Sequence, residues 1–216
     1  MKEVIENIKK TLLDAIFPSA KLPNQIIKYG TTEIKKPNDW CDENTIVMFD
    51  YGDKQAKSLI WELKYKNNSA AAEVLAEAMR EELIGAASDW AIFDNFQKPV
   101  LLPVPLSKKK LAKRGYNQTE ILVRKIMRID DGKNFEADFD VLKKVKETKD
   151  QSSLKTKTAR LKNLRDCFKV TAPEKIQDRN IIIIDDVITT GATLSEIRKA
   201  LKQAGAGKIK AIVVAH

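Results

Sequence analysis

Asp185 and Asp186 stand side by side, and three hydroxyl residues, Thr189, Thr190 and Thr193, follow them around Gly191 and Ala192. Two neighbouring carboxylates repel a phosphate. They accept hydrogen bonds from neutral hydroxyls such as a ribose diol, or hold a hydrated Mg²⁺. The threonine hydroxyls, and the backbone N–H groups freed at a helix start, do the opposite and donate to phosphate oxygens. Gly191 lets the chain approach a ligand without a Cβ in the way. A ligand with a diol at one end and a phosphate one sugar away satisfies both halves, and ribose 5-phosphate has that shape.

Such a site needs a strand to deliver the acids and a helix to receive the phosphate. Ile181 to Ile184 is an unbroken β-branched run without polar alternation, as expected of a strand buried on both faces of a parallel sheet. Leu194, Ile197, Leu201 and Ala204 then fall on one helical stripe that Gly205 closes. Strand, loop and helix in this order put the ligand beyond the carboxyl end of the sheet. The expected class is α/β, a mostly parallel twisted sheet flanked by helices.

Two other stretches carry chemistry. Val100 to Pro105 reads as a short buried strand stiffened by prolines and followed by the turn Val104-Pro105-Leu106-Ser107, where unusual peptide geometry is expected. A basic loop follows from Lys108 to Arg114, then Gly115-Tyr116-Asn117-Gln118, with Asn117 as the N-cap of a helix through Ile121, Leu122, Lys125 and Ile126. Between strand-like patterns at 141–145 and 167–170, residues 146–160 are polar and without period, which suits a basic lid that excludes water and neutralises a departing anion.

The chain has 216 residues and a formal charge of +9, with no apolar run near the ~20 residues of a membrane span. From 105 to 165 there are 18 Lys and Arg against 8 Asp and Glu, which leaves 21 against 22 elsewhere. An excess confined to the middle of the chain points to a polyanionic partner, a pyrophosphate or a nucleic acid. Cys41 and Cys167 are too few for a disulfide framework and read as small apolar filler. A cytoplasmic protein is expected.

An amphipathic helix over 1–17, ended by Pro18, and an irregular segment over 19–43 precede a strand at 45–51, a helix at 56–65 and a long helix at 70–84. Trp61, Trp90, Phe93 and Phe96 are assigned to packing, Lys208 to Ala215 to a last strand, and His216 to no role.

Four apolar residues, two acids and Thr-Thr-Gly-Ala-Thr resemble the phosphoribosyl pyrophosphate (PRPP) signature of type I phosphoribosyltransferases. Leu63-Lys64-Tyr65, Pro103-Val104-Pro105-Leu106, Arg114-Gly115-Tyr116-Asn117-Gln118 and the spaced Gln151, Arg160, Asn163 and Phe168 are similar to ComF-type competence proteins. The resemblance implies a phosphoribosyltransferase-like domain over 45–216 behind a helical and irregular extension over 1–44. It implies PRPP with Mg²⁺, the ribose at Asp185 and Asp186, and the 5-phosphate at Thr189, Thr190, Gly191, Ala192 and Thr193. Val104, Pro105, Leu106 and Ser107 would hold the pyrophosphate, and Lys149, Gln151 and Arg160 would close over it, while Arg114 would reach the pyrophosphate or a second substrate. ComF-type proteins commonly carry a four-cysteine zinc module after a Phe-Pro. Phe17-Pro18 is present here but Cys41 alone remains of the cysteines, so no zinc is expected.

Two functions of different class follow. One is a pentosyltransferase that uses PRPP on an acceptor the sequence does not name. The other is a competence factor that binds single-stranded DNA, with a PRPP site that is vestigial or regulatory; a PRPP sensor acting on a protein partner is a third form. Oligomeric state is left open.

Overall fold

The computed structural model describes residues 31, 33–37, 42–148 and 163–216. The expected helix at 1–17, most of the segment to 43 with Cys41, and Lys149, Gln151 and Arg160 lie outside the described residues.

The tetra-isoleucine stretch is the middle of the molecule. Strand β6 (Ile181–Val187) lies between β7 (Ile209–Ala215) and β2 (Val100–Pro103) in a five-stranded sheet whose outer strands are β1 (Thr45–Phe49) and β3 (Glu136–Ala137), in the order β1-β7-β6-β2-β3, every neighbour parallel. Because side chains alternate along a strand, Ile182 and Ile184 enter one apolar core while Ile181 and Ile183 enter the other, and all four are fully buried. That explains a run with no polar alternation. Edge strand β3 is not expected from the sequence.

Helices cover both faces. Helix α1 (Lys54–Lys66) is capped by Asp53, whose carboxylate accepts from the amides of Gln55 at 2.7 Å and Ala56 at 3.0 Å. Asn68 likewise caps α2 (Ser69–Asp94), which runs past the expected end at Ile84 and stops where Asn95 turns left-handed at φ 48°. The extension corrects one assignment. Phe96 is core and meets Trp90 edge-on at 5.4 Å, but Phe93 is 82% exposed, so it is a surface residue.

The basic run after β2, expected as a loop, is a short helix, α3 (Lys108–Arg114), capped by Ser107 and closed by Gly115 at φ 83°. Five lysines and arginines in seven residues hid its helical character, because no apolar stripe marks a helix that buries none of its side chains. Asn117 caps α4 (Gln118–Asp130) as expected. The peptides of this region, like the other described ones, are trans.

The stretches expected as strands near 141 and 167 form β4 (Leu142–Lys144) and β5 (Phe168–Val170), an antiparallel pair apart from the main sheet. Helix α5 (Ala192–Gln203) connects β6 to β7, burying Leu194, Ile197 and Leu201. Arg198 on α5 bonds Asp42 at 2.7 Å and the Asn44 carbonyl at 2.7 Å, and Ile34 is part of the core, so these residues pack on the sheet domain.

Candidate functional site

Parallel register brings the two ligand-facing loops together. Pro103 is paired with Ile184, and the Val104 amide donates to the Ile184 carbonyl at 3.0 Å, so the turn after β2 starts beside the residue that precedes the acids. Beyond β6 the chain turns through Thr189 and Thr190 into α5. A shallow open depression lies there, lined by Asp185, Thr189, Gly191 and Thr193.

The bend expected to take a phosphate has the following geometry. Gly191 occupies the N-cap of α5 at φ 72°, a left-handed conformation that a Cβ disfavours, and no side chain caps the helix. The first-turn amides therefore have no side-chain cap as acceptor. Thr190 Oγ1 is buried with no hydrogen-bond partner. A buried hydroxyl left without a partner is costly in a folded chain, and a ligand oxygen would relieve that. Ala192 is buried and contributes only backbone. His216, given no role from sequence, approaches the Thr189 carbonyl at 3.2 Å with its imidazole.

The acid half divides its work. Asp186 is fully engaged: Oδ1 pairs with the Lys64 ammonium at 3.0 Å and Oδ2 accepts from Gln118 Nε2 at 2.6 Å. Gln118 Oε1 in turn accepts from the Arg114 guanidinium. These neighbours fix the amide orientation, since a guanidinium only donates and a carboxylate only accepts. Asp185 Oδ1 accepts from the Asp186 amide at 2.8 Å, and Oδ2 has no partner among the described residues. Burial, then the adjacent Asp186 charge, pushes the Asp185 carboxyl up to about 8, against the Asp186 amide, Lys64 and Lys144. Burial works against the Lys64 ammonium too, but the charge and hydrogen bond of Asp186 outweigh it, and its pKa lies above the ordinary lysine value.

The Arg114 to Gln118 run fastens these parts together. Tyr116 donates its hydroxyl to the Leu63 carbonyl at 3.0 Å and accepts from the Asn67 amide at 3.0 Å, bolting the start of α4 to the end of α1. Burial raises its phenol pKa. Asn117 Nδ2 and Thr119 Oγ1 both donate to the Val104 carbonyl, at 3.1 and 2.8 Å, which anchors the turn where the pyrophosphate is expected. Pro105 and Leu106 are half-buried in that turn, and Ser107 is buried with its hydroxyl on the Lys110 amide at 3.4 Å. Arg114 lies over the Tyr65 ring at 5.7 Å, so it is held at the Gln118 and Tyr65 side.

From the sequence Lys64 belonged to a motif without a role, Glu147 fell within the expected lid at 146–160 without a role of its own, and Thr119 and Lys144 were not singled out. Lys64 faces an acid 122 positions away, which no local pattern reveals. Lys144 is half-buried near both Asp185 and Lys110; burial, then the Lys110 charge, lowers its pKa. Cys167 is buried and free, its thiol pKa raised by burial, in keeping with apolar filler.

A parallel sheet, paired acids at the end of its central strand and a threonine-lined bend with no side-chain cap after them define a phosphoribosyltransferase-type domain. The family model "Phosphoribosyl transferase domain" matches residues 71–216, and the chain belongs to that family, in its ComF-type branch. Among particular relatives, competence protein ComFC of Streptococcus pneumoniae is 31% identical over 195 residues, 87% of this chain and 77% of that protein. DNA utilization protein YhgH of Escherichia coli K12 is 28% identical over 178 residues, covering 82% and 73%. Competence protein F of Haemophilus influenzae is 36% identical over 111 residues, covering 51% and 47%. A solved hypoxanthine-guanine phosphoribosyl transferase from Leishmania donovani aligns over 66% of this chain and 71% of its own, with a TM-score of 0.40 and 15% identity. At that score the alignment adds nothing to the assignment, which rests on the family match. Among the described residues no helix is long and apolar enough to cross a membrane.

Proposed function

We propose that this chain binds the ribose 5-phosphate part of PRPP in the depression between Asp185 and the start of α5, and does so as a cytoplasmic protein. One observation carries the reading: the buried Thr190 hydroxyl has no partner, at a helix start that no side chain caps. The 5-phosphate would take the amides at the start of α5 with Thr189, Thr190 and Thr193, and Asp185 would accept from the ribose hydroxyls. The pyrophosphate would lie toward Val104 to Ser107, with Lys144 and Lys110 on that side.

Mg²⁺ fits with a restriction. No group of three or more His, Cys, Asp or Glu among the described residues could hold a metal, and both oxygens of Asp186 are taken. Asp185 would then be the protein contact of an ion otherwise held by ligand oxygens and water. Bound with PRPP, the ion supplies neutralisation of the leaving pyrophosphate. The chain's own part in a transfer is positioning. As the C1–O bond to pyrophosphate breaks, positive character grows at C1, the cationic side chains hold the departing anion, and the acceptor attacks C1. No side-chain nucleophile is required.

The relatives' names, competence protein and DNA utilization protein, support linking this chain to competence and the use of DNA. A second reading, single-stranded DNA binding, is favoured by a strip on α1. Lys57, Trp61 and Tyr65 follow at four-residue spacing; Lys66 lies over the Trp61 ring at 4.6 Å, Arg114 over that of Tyr65, and Lys57 over the ring of Tyr51 just before the helix at 5.4 Å. Tyr65 is 58% exposed. Rings for bases and cations for phosphates are what a single strand needs. In this reading Trp61, expected from sequence to pack, would also present its ring to a base.

The test is calorimetry with PRPP and Mg²⁺, together with pyrophosphate release, each with and without single-stranded DNA. Binding that disappears in Asp185→Asn supports the site, and release on adding an acceptor establishes turnover. Binding without release supports the sensor form. PRPP binding unchanged in Asp185→Asn would sink the first reading. DNA affinity independent of salt or of Tyr65→Ala would sink the second.

A further inference from the structure

Two consecutive residues at the end of β7 hold two consecutive residues at the start of the bend before α5. The Ile188 amide donates to the Ala215 carbonyl at 3.0 Å, and one step further the imidazole Nε2 of His216 lies 3.2 Å from the Thr189 carbonyl oxygen. The backbone of His216 is clamped in turn by the end of β1: its amide donates to the Phe49 carbonyl at 3.2 Å, and its carbonyl accepts from the Tyr51 amide at 2.7 Å. A ring carried on a fixed strand end therefore meets the first peptide of the bend.

A carbonyl oxygen only accepts, so Nε2 carries the proton in this contact. The consequence runs through the peptide plane. In a planar trans peptide the carbonyl and the N–H point in opposite directions, so a donor that fixes the Thr189 carbonyl also fixes the Thr190 N–H facing the other way. That N–H has no acceptor among the described residues, and the Thr190 hydroxyl is buried without a partner. Between the Ile188 amide and the Gly191 carbonyl, which accepts from the Ser195 amide at 2.9 Å, the imidazole makes the one hydrogen bond to the backbone of the bend among the described residues.

We propose that His216 is a positioning residue of this bend: its Nε2–H turns the Thr189–Thr190 peptide so that the Thr190 amide, together with the Thr190 hydroxyl, is presented to a ligand phosphate. The proposal rests on the ribose 5-phosphate reading above and adds the residue that sets the bend for it. His216 touches no reacting atom. It acts through the peptide, as a rigid support does for a loop that must hold its donors in place before the ligand arrives.

The experiment compares the full wild-type chain with His216→Phe, which keeps a ring but has no donor, and with His216→Gln, whose amide nitrogen supplies a donor at similar reach. Calorimetry with ribose 5-phosphate and with inorganic phosphate reads the ligand. NMR of the unliganded proteins reads the peptide, from the Thr189 carbonyl carbon and the Thr190 amide nitrogen. His216→Phe is expected to weaken both ligands about three- to tenfold, as the loss of one neutral hydrogen bond allows, and His216→Gln to stay within about twofold of wild type. Both NMR signals should move in His216→Phe and return toward wild type in His216→Gln, with Tm alike in all three proteins.

Equal affinity for ribose 5-phosphate in wild type and His216→Phe overturns the proposal and leaves the ribosyl reading standing. Equal losses in the two variants, or a loss that follows a fall in Tm, also overturn it, because packing and not a donor is then responsible. NMR signals that stay in place in His216→Phe do the same. If ribose 5-phosphate fails to bind wild type while inorganic phosphate binds and weakens in His216→Phe alone, the positioning role stands and the ribosyl reading falls. Binding of neither ligand overturns both.

Discussion

Replacing Asp185 by asparagine separates what this residue costs the fold from what it does for a ligand. In the folded chain burial and Asp186 raise the Asp185 carboxyl to about 8, whereas in the unfolded chain it titrates near its ordinary value of 3.8. Between these two values the folded state holds a proton that the unfolded state has released, so stability falls as pH rises, by up to about 1.4 kcal/mol per pH unit. Below 3.8 and above 8 the contribution is flat. Asp130 acts outside this window: burial raises its pKa, but hydrogen bonds from Asn134 and Phe135 outweigh that and lower it, so its stabilisation is lost only in acid.

From pH 5.5 to 7.5 the slope amounts to about 2.7 kcal/mol, or roughly 5–10 °C of Tm for a chain of this size. Differential scanning fluorimetry without ligand should show that fall in wild type and a nearly flat line in Asp185→Asn, with the variant the more stable protein at pH 7.5. A ligand that requires ionised Asp185 should bind up to tenfold tighter per pH unit until about pH 8 in wild type, and the variant should lose binding. A flat wild-type profile, or a slope that survives in Asp185→Asn, would refute the placement of a buried, uncompensated carboxyl at the end of β6.

Three further outcomes follow from the same geometry. Thr190→Val replaces a buried hydroxyl that has no partner, so Tm should hold or rise while affinity for ribose 5-phosphate falls about five- to tenfold, read by scanning fluorimetry and calorimetry. Lys64→Met leaves Asp186 charged and buried without its ammonium, which costs about 3–5 kcal/mol in denaturant unfolding, and adding Asp186→Asn should restore most of it. Gly191→Ala forces a Cβ into a left-handed N-cap at φ 72°, costing about 1–2 kcal/mol and weakening phosphate binding, since the amides of the bend shift with it.

The amino-acid order alone determined the central strand, the helix after it and the chemistry of the bend between them. Each of these depends on near neighbours: an unbroken isoleucine run demands burial on both faces, and a glycine among threonines before an apolar stripe demands an uncapped helix start. The cap at Asn117 was legible for the same reason. Tertiary structure decided the rest. That Asp186 is spent on Lys64 and Gln118 while Asp185 is bonded only by the Asp186 amide among the described residues, that the basic run is a helix capped by Ser107, that Tyr65 receives Arg114, and that Glu147 accepts from the Lys109 amide were decided by how the elements pack. Periodicity reports only which way a side chain faces along its own element. Parallel register, which sets β2 beside β6 and so loop beside loop, chooses the partner it meets there.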